Sequence, residues 1–218
     1  MFGKIIALVG PSGVGKNFAK QAIKDKFPQL VELTVYTTRK KRASDGLDRK
    51  TDIPIGDFLR MEQKGEIIAA HQPFGSDGDW YGFSRKQIDE MLDNKNLILT
   101  EIHPDNILLF KELYGDKVFT VALTAENDYL EHNLRSRGSE KDIDREVRLD
   151  RAFNEIKTIQ EMRKEKLIDR VIEVGWNNRD KLSEIVVNEV SREIEPPIER
   201  ENELPRRKQR GIGASRRE

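Results

Sequence analysis

The segment Gly10-Pro-Ser-Gly-Val-Gly-Lys-Asn17 constrains this chain more than any other. It follows Lys4–Val9, a continuous apolar run of the kind found in a central strand covered on both faces. It precedes a helical pattern from Gly15 to about Phe27, with Phe18, Ala22 and Ile23 on one face and Pro28 beyond. Gly-x-x-x-x-Gly-Lys between a strand and a helix is a phosphate-binding loop. Its glycines let main-chain N–H groups converge on an anion with no side chains in the way. The helix adds its positive N-terminal end, and Lys16 reaches the outer phosphates as a point charge. The candidate triphosphate-binding residues are therefore Gly10, Ser12, Gly13, Val14, Gly15, Lys16 and Asn17, with ATP the expected donor. The position after the lysine normally carries a hydroxyl that ligates Mg2+. Here it is Asn17, a longer and differently placed oxygen ligand, so metal binding is expected to lean on Glu101 or on water.

Further apolar runs alternate with helical patterns. Val31–Thr37 has the β-branched content of a strand, and a helix is expected over Asp57–Lys64, closed by Gly65. Short strands follow at Ile67–His71 and around Tyr81–Phe83. Ser84-Arg-Lys-Gln87 has capping-box spacing and opens a helix to about Asn94. Leu97–Thr100 reads as a buried strand ending in Glu101, Pro104–Tyr114 as a helix, and Lys117–Leu123 as another buried strand, with a helix after Thr124. After a polar break at Arg135–Asp142 come a long charged helix over about Ile143–Lys166, a strand at Val171–Val174 and a helix at Asp180–Ile194. This order predicts an α/β domain, a mainly parallel sheet with helices on both faces. In such sheets ligands sit beyond the carboxyl ends of the strands, where Gly10, Glu101 and Thr124 are expected.

Composition excludes several alternatives. The 218 residues suffice for one domain of ordinary size, and Lys plus Arg matches Asp plus Glu at 39 each, so no net field calls for a polyanionic partner. With no cysteine, disulfides and thiolate metal sites are ruled out, and with three histidines a His-rich metal cluster is not expected. The N-terminal apolar run is too short for a signal peptide and no later stretch spans a bilayer, so a cytoplasmic protein without membrane contact is expected. From Glu195 the apolar period is lost, and residues 206–218 carry six Arg or Lys against one Glu. Residues 195–218 are expected to be a disordered basic tail, a solvated end more readily than a nucleic-acid contact.

Taken together, the loop at 10–16, Tyr-Thr-Thr-Arg-Lys-Lys-Arg-Ala-Ser-Asp-Gly at 36–46, Trp-Tyr-Gly at 80–82 and Arg-Ser-Arg-Gly at 135–138 with Arg148 beyond resemble the guanylate kinases. The resemblance spans about residues 3–190 of a domain at 1–194 and implies the P-loop NTPase fold of a nucleoside monophosphate kinase, monomeric or homodimeric, using ATP and Mg2+. It further implies a small acceptor-binding insertion at about 34–93 and a lid at about 126–150. Arg39, Arg42, Asp45, Tyr81 and Glu101 are the implied acceptor ligands, Glu101 also helping to organise the metal. Two arginines three residues apart can fork onto one phosphate. Lys16, Arg137 and Arg148 are the implied catalytic cations, since phosphoryl transfer needs positioning and charge neutralisation more than covalent chemistry. Arg145 and Arg151 are expected on the solvated face of the same helix.

The pattern breaks where guanine would be read. Guanine presents N–H donors on N1 and N2, which call for carboxylates and hydroxyls. The family's positions carry Ala69, Phe83, His103 and Val35, a phosphate-clamp tyrosine is replaced by Arg49, and a lid arginine by Asn133. A donor left without a partner costs about 1–3 kcal/mol, so such a site is not expected to select GMP tightly. Three readings stay open: a kinase of GMP, dGMP or a related nucleotide, a ribose 1,5-bisphosphate phosphokinase, and a non-catalytic guanylate-kinase-like binding module.

Overall fold

A computed structural model describes residues 3–43, 49–73, 78–136 and 142–195, without the side chains of 142–145. The arrangement starts from β1 (Lys4–Val9), whose last five residues are all buried. Its alternate side chains feed two separate cores. Ile6 and Leu8 pack with Ala19 and Ile23 of α1 (Lys16–Lys26) and with Leu182, Val186 and Val190 of α7 (Leu182–Ile194). Ile5, Ala7 and Val9 face the opposite way, toward Ile88 and Leu92 of α3 (Arg85–Asp93) and Phe110 of α4 (Ile107–Tyr114). A strand covered on both faces has no solvated side to vary, hence the unbroken apolar run.

β1 is the centre of a five-stranded parallel sheet in the order β2-β7-β1-β8-β9, where β2 is Val31–Glu32, β7 Leu97–Glu101, β8 Val118–Ala125 and β9 Arg170–Val174. The chain leaves β1 toward the β7 side and returns across it to β8, so the carboxyl end of β1 lies at a reversal of strand order, where α/β sheets bind ligands. The register pairs Leu8 with Glu101, which brings the phosphate loop and Glu101 to the same edge.

A second sheet, β4-β3-β6-β5, is built from the segment between β2 and α3. It comprises β3 (Val35–Thr37), β4 (Arg49–Lys50), β5 (Ile67–His71) and β6 (Tyr81–Ser84), with α2 (Ile55–Gln63) between β4 and β5. The single strand expected over Val31–Thr37 is thus two. Val31–Glu32 pairs with β7, while Val35–Thr37 pairs antiparallel with β6. Local β-propensity specifies an extended backbone but not the sheet it joins. The face predicted for α1 also shifts: Phe18 is 55% exposed, and Ala19 and Ile23 are the buried pair.

The capping box at Ser84–Gln87 forms by half. Ser84 Oγ accepts the Gln87 N–H at 3.3 Å, but the Gln87 side chain turns away to donate to Thr34 Oγ1 at 3.0 Å. That bond ties α3 to the crossing between the sheets. α5 (Asn127–Ser136) packs against α6 (Asp142–Lys164), and no helix among the described residues is long and apolar enough to cross a membrane.

Candidate active site

The loop at 10–16 takes the shape its glycines permit. Gly15, at φ 107°, turns the chain into α1, and at Gly10 a Cβ would stand 2.5 Å from Leu123 O of β8. Both positions exclude a side chain, one by backbone conformation and the other by close approach. α1 has no side-chain cap and no acidic residue in its first turn, which leaves its positive end without a cap of its own. The Lys16 ammonium folds back on the loop, donating to Gly10 O and to Pro11 O at 3.0 Å. Val14 is fully buried, and its N–H reaches Pro11 O at 3.4 Å. Asn133 on α5 donates to Gly13 O at 3.0 Å, bracing the loop from outside.

Beyond the loop a cleft of about 270 Å³ opens between the two sheets. Gly10, Ser12, Lys16, Tyr81, Glu101 and Arg148 line it, so residues predicted for donor, acceptor and catalysis share one space. The other predicted residues lie elsewhere. Asn17 is exposed and outside the cleft lining. Arg39 is only 7% exposed just past β3, and donates from Nη1 to Lys40 O at 2.9 Å. Arg42 is exposed on the following loop. Asp45, Arg137 and the tail from 196 onward lie outside the described residues.

Several cleft residues escaped the sequence reading. Lys20, one turn along α1 from Lys16, sits 3.0 Å from Glu32 and 3.4 Å from Glu101. Burial pushes the Glu32 carboxyl up, but hydrogen bonds from Lys24 and Lys20 outweigh it and hold it below its ordinary value. Arg151, expected on a solvated face, lines the cleft and donates to Pro73 O, linking α6 to the loop after β5. Its spacing of three from Arg148 places both on one side of the helix, a signal present in the sequence.

The side of the cleft that carries Tyr81 holds two imidazoles. β5 is irregular: Ala69 adopts φ 54° and the pairing with β6 slips between Ile68 and His71. A left-handed alanine costs on the order of 1 kcal/mol, and here the bulge re-aims the end of the strand beside the cleft. Ala69 O accepts from Asn106 Nδ2 at 3.2 Å and lies 3.1 Å from His71 Nδ1. The His71 and His103 ring centroids are 5.2 Å apart. His103 Nε2 lies 3.7 Å from Glu155 Oε1 of α6. Burial lowers both histidines, and burial raises Glu155 to about 7 despite the nearby Lys16 and Arg151 charges. Among the described residues no group of three acidic or His side chains could hold a metal alone, so any Mg2+ would need oxygens from its phosphate ligand.

No family model matches the sequence. Individual relatives do. The guanylate kinase of Prochlorococcus marinus is 30% identical over 155 residues, covering 70% of this chain and 82% of that protein. The guanylate kinase of Mycoplasma mobile is 30% identical over 168 residues, covering 71% and 80%. In three dimensions the chain resembles a crystal structure of guanylate kinase from Anaplasma phagocytophilum, with a TM-score of 0.64 at 22% identity over 90% of this chain and 88% of that one. With the phosphate loop in its expected place, with that fold, and with relatives matched over most of their own length, the chain belongs to the guanylate kinase family.

Proposed function

We propose that this protein is an ATP-dependent phosphotransferase of guanylate-kinase type, moving the ATP γ-phosphate onto GMP, dGMP or a closely related nucleoside monophosphate. The observation that carries this reading is the single cleft shared by Lys16, Tyr81, Glu101 and Arg148. Phosphoryl transfer needs donor and acceptor in line with cations around the transferred group, and a common space provides that arrangement.

In this reading the main chain of Gly10, Ser12, Gly13, Val14 and Gly15 holds the β and γ phosphates, and the Lys16 ammonium leaves its carbonyls for the γ-phosphate oxygens. Tyr81 binds the acceptor phosphate, with Arg39 and Arg42 completing that clamp. Arg148 and Arg137 neutralise charge on the transferred group. Magnesium, if held with the triphosphate, would supply further neutralisation. Glu101, at the cleft edge, is the carboxylate that fits it, and Asn17, pointing to solvent, contributes less. The intact loop and Lys16 favour turnover over a non-catalytic binding module.

The test is ADP release by the purified chain with Mg·ATP and either GMP or ribose 1,5-bisphosphate, alongside calorimetry with Mg·ATP. ATP binding displaced by ADP, with GMP the better substrate, is expected. Turnover confined to ribose 1,5-bisphosphate would move the protein to that reaction, and no heat with ATP would end the kinase reading.

A further inference from the structure

α1 carries a second ammonium group into the cleft. Lys20 follows Lys16 by one helical turn, and both line the cleft with Gly10 and Ser12. Its Nζ lies 3.0 Å from Glu32 Oε1 and 3.4 Å from Glu101 Oε1. The two carboxylates come from neighbouring parallel strands, Glu32 from the end of β2 and Glu101 from the end of β7. Lys24, a further turn along α1, holds the other oxygen of Glu32 at 2.6 Å. The charges thus alternate through Lys24, Glu32, Lys20 and Glu101. The side chains of Lys20, Glu32 and Glu101 are all partly buried, so salt screens their attraction less than it screens a surface pair.

This row ends on the residue that matters for a metal. A divalent cation held with a triphosphate takes oxygens from the phosphates and from a protein carboxylate or hydroxyl. Glu101 is the carboxylate that fits that role here, and Lys20 already stands beside one of its oxygens. The position that normally supplies the hydroxyl is Asn17, exposed and outside the cleft lining. One protein contribution to a metal is offset by a built-in cation, and the other is replaced. An ammonium and a dication drawn to the same carboxylate repel each other, so each weakens the other's hold.

We infer that Lys20 is a positioning residue that competes with the metal for Glu101, so that this chain takes up magnesium through the triphosphate and gains little metal affinity from its own side chains. The inference rests on the kinase reading above and concerns its donor site. Lys20 acts through Glu101: with the ammonium in place the carboxylate is already paired, and with the ammonium gone Glu32 and Glu101 both face the cleft as anions with one cation fewer between them.

The experiment is calorimetry of ATP binding to the full chain without acceptor, once in excess Mg2+ and once in EDTA, which gives each variant a ratio of metal-bound to metal-free affinity. The wild-type ratio is expected within about tenfold of unity. Lys20→Met should raise the ratio by about tenfold or more, and Glu101→Gln added to it should bring the ratio back to within about threefold of wild type. Glu101→Gln alone should move the ratio by less than about threefold. A lysine that served only as a strut for α1 would shift the denaturant midpoint of Lys20→Met and leave the ratio where it was. A wild-type ratio of about 100-fold or more, an unchanged ratio in Lys20→Met, or a raised ratio that survives the added Glu101→Gln overturns the inference and leaves the kinase reading standing. So does a ratio about tenfold lower in Glu101→Gln alone, a result that does not depend on the folding of Lys20→Met. No ATP binding by the wild type, with or without metal, removes the kinase reading and the inference together.

Discussion

Around Lys16 the cleft is made of main chain, and around His71 and His103 it is made of side chains. The loop's shape comes from glycines whose positions exclude a Cβ, Gly10 against Leu123 O among them, and it opens onto a helix with no side-chain cap or acidic residue in its first turn. The acceptor wall draws His71 from a bulged strand, Thr100 and His103 from the end of β7 and beyond, and Glu155 from α6. A backbone cradle has few ways to change without collapsing. A wall of side chains from separate elements can be rewritten one residue at a time. The Gly10–Lys16 loop is therefore kept in this chain, with Asn17 a departure just beyond it, while the resemblance places further departures at the positions that would read guanine.

The strongest test of that contrast is Lys16→Ala. If main chain holds the triphosphate, the variant still binds ATP, with an affinity loss well below its loss of turnover. The lysine's charge acts on the phosphoryl group in flight, so kcat should fall by about 10³-fold or more. ADP-release rates set beside ATP calorimetry separate the two effects. Complete loss of ATP binding would mean that the ammonium, and not the backbone, makes the donor site.

The same contrast explains how far the sequence could be followed. The strand, loop and helix around Gly10–Lys16 are consecutive, so local pattern was enough to place them. The parallel sheet followed from alternating strands and helices. What escaped was set by tertiary contact. Nothing local separates Val31–Glu32 from Val35–Thr37, since the break arises from which neighbour each half pairs with. Arg151 looked like one charge among many on a polar helix until α6 was packed against the loop at Pro73. The meeting of His71, His103 and Glu155 joins three elements far apart in the chain, and the bulge at Ala69 that aims His71 has no glycine to announce it.

Glu155 offers a second, smaller test, this time of the side-chain half. Burial holds its carboxyl up at about 7, reinforced by Asp105 and opposed by Lys16 and Arg151. The folded chain thus keeps a proton that the unfolded chain releases at the ordinary carboxylate value of 4.5. This group's contribution to stability is complete below 4.5 and is lost as pH rises through about 7. Glu155→Gln cannot ionise, so relative to wild type it should gain about 2 to 3 kcal/mol between pH 4.5 and pH 8, read from denaturant midpoints at each pH. A pH-independent difference would mean that Glu155 is hydrated and charged, and that the acceptor wall is not as dry as the packing implies.

The smallest effect is expected at Ser84, whose hydroxyl caps α3 directly after the strand that carries Tyr81 and Phe83. Ser84→Ala removes that acceptor and should cost about 1 kcal/mol of stability. Because the reciprocal half of the box is missing and Gln87 instead holds Thr34, the loss should loosen the junction between α3 and the sheet crossing. That junction lies within the segment proposed to bind the acceptor. The variant should raise KM for the acceptor slightly and leave the affinity for ATP unchanged, which kinetics and calorimetry on one preparation can compare. Equal weakening of both would show that the two halves share one stability unit, and that a backbone-built donor site is no more independent than the wall it faces.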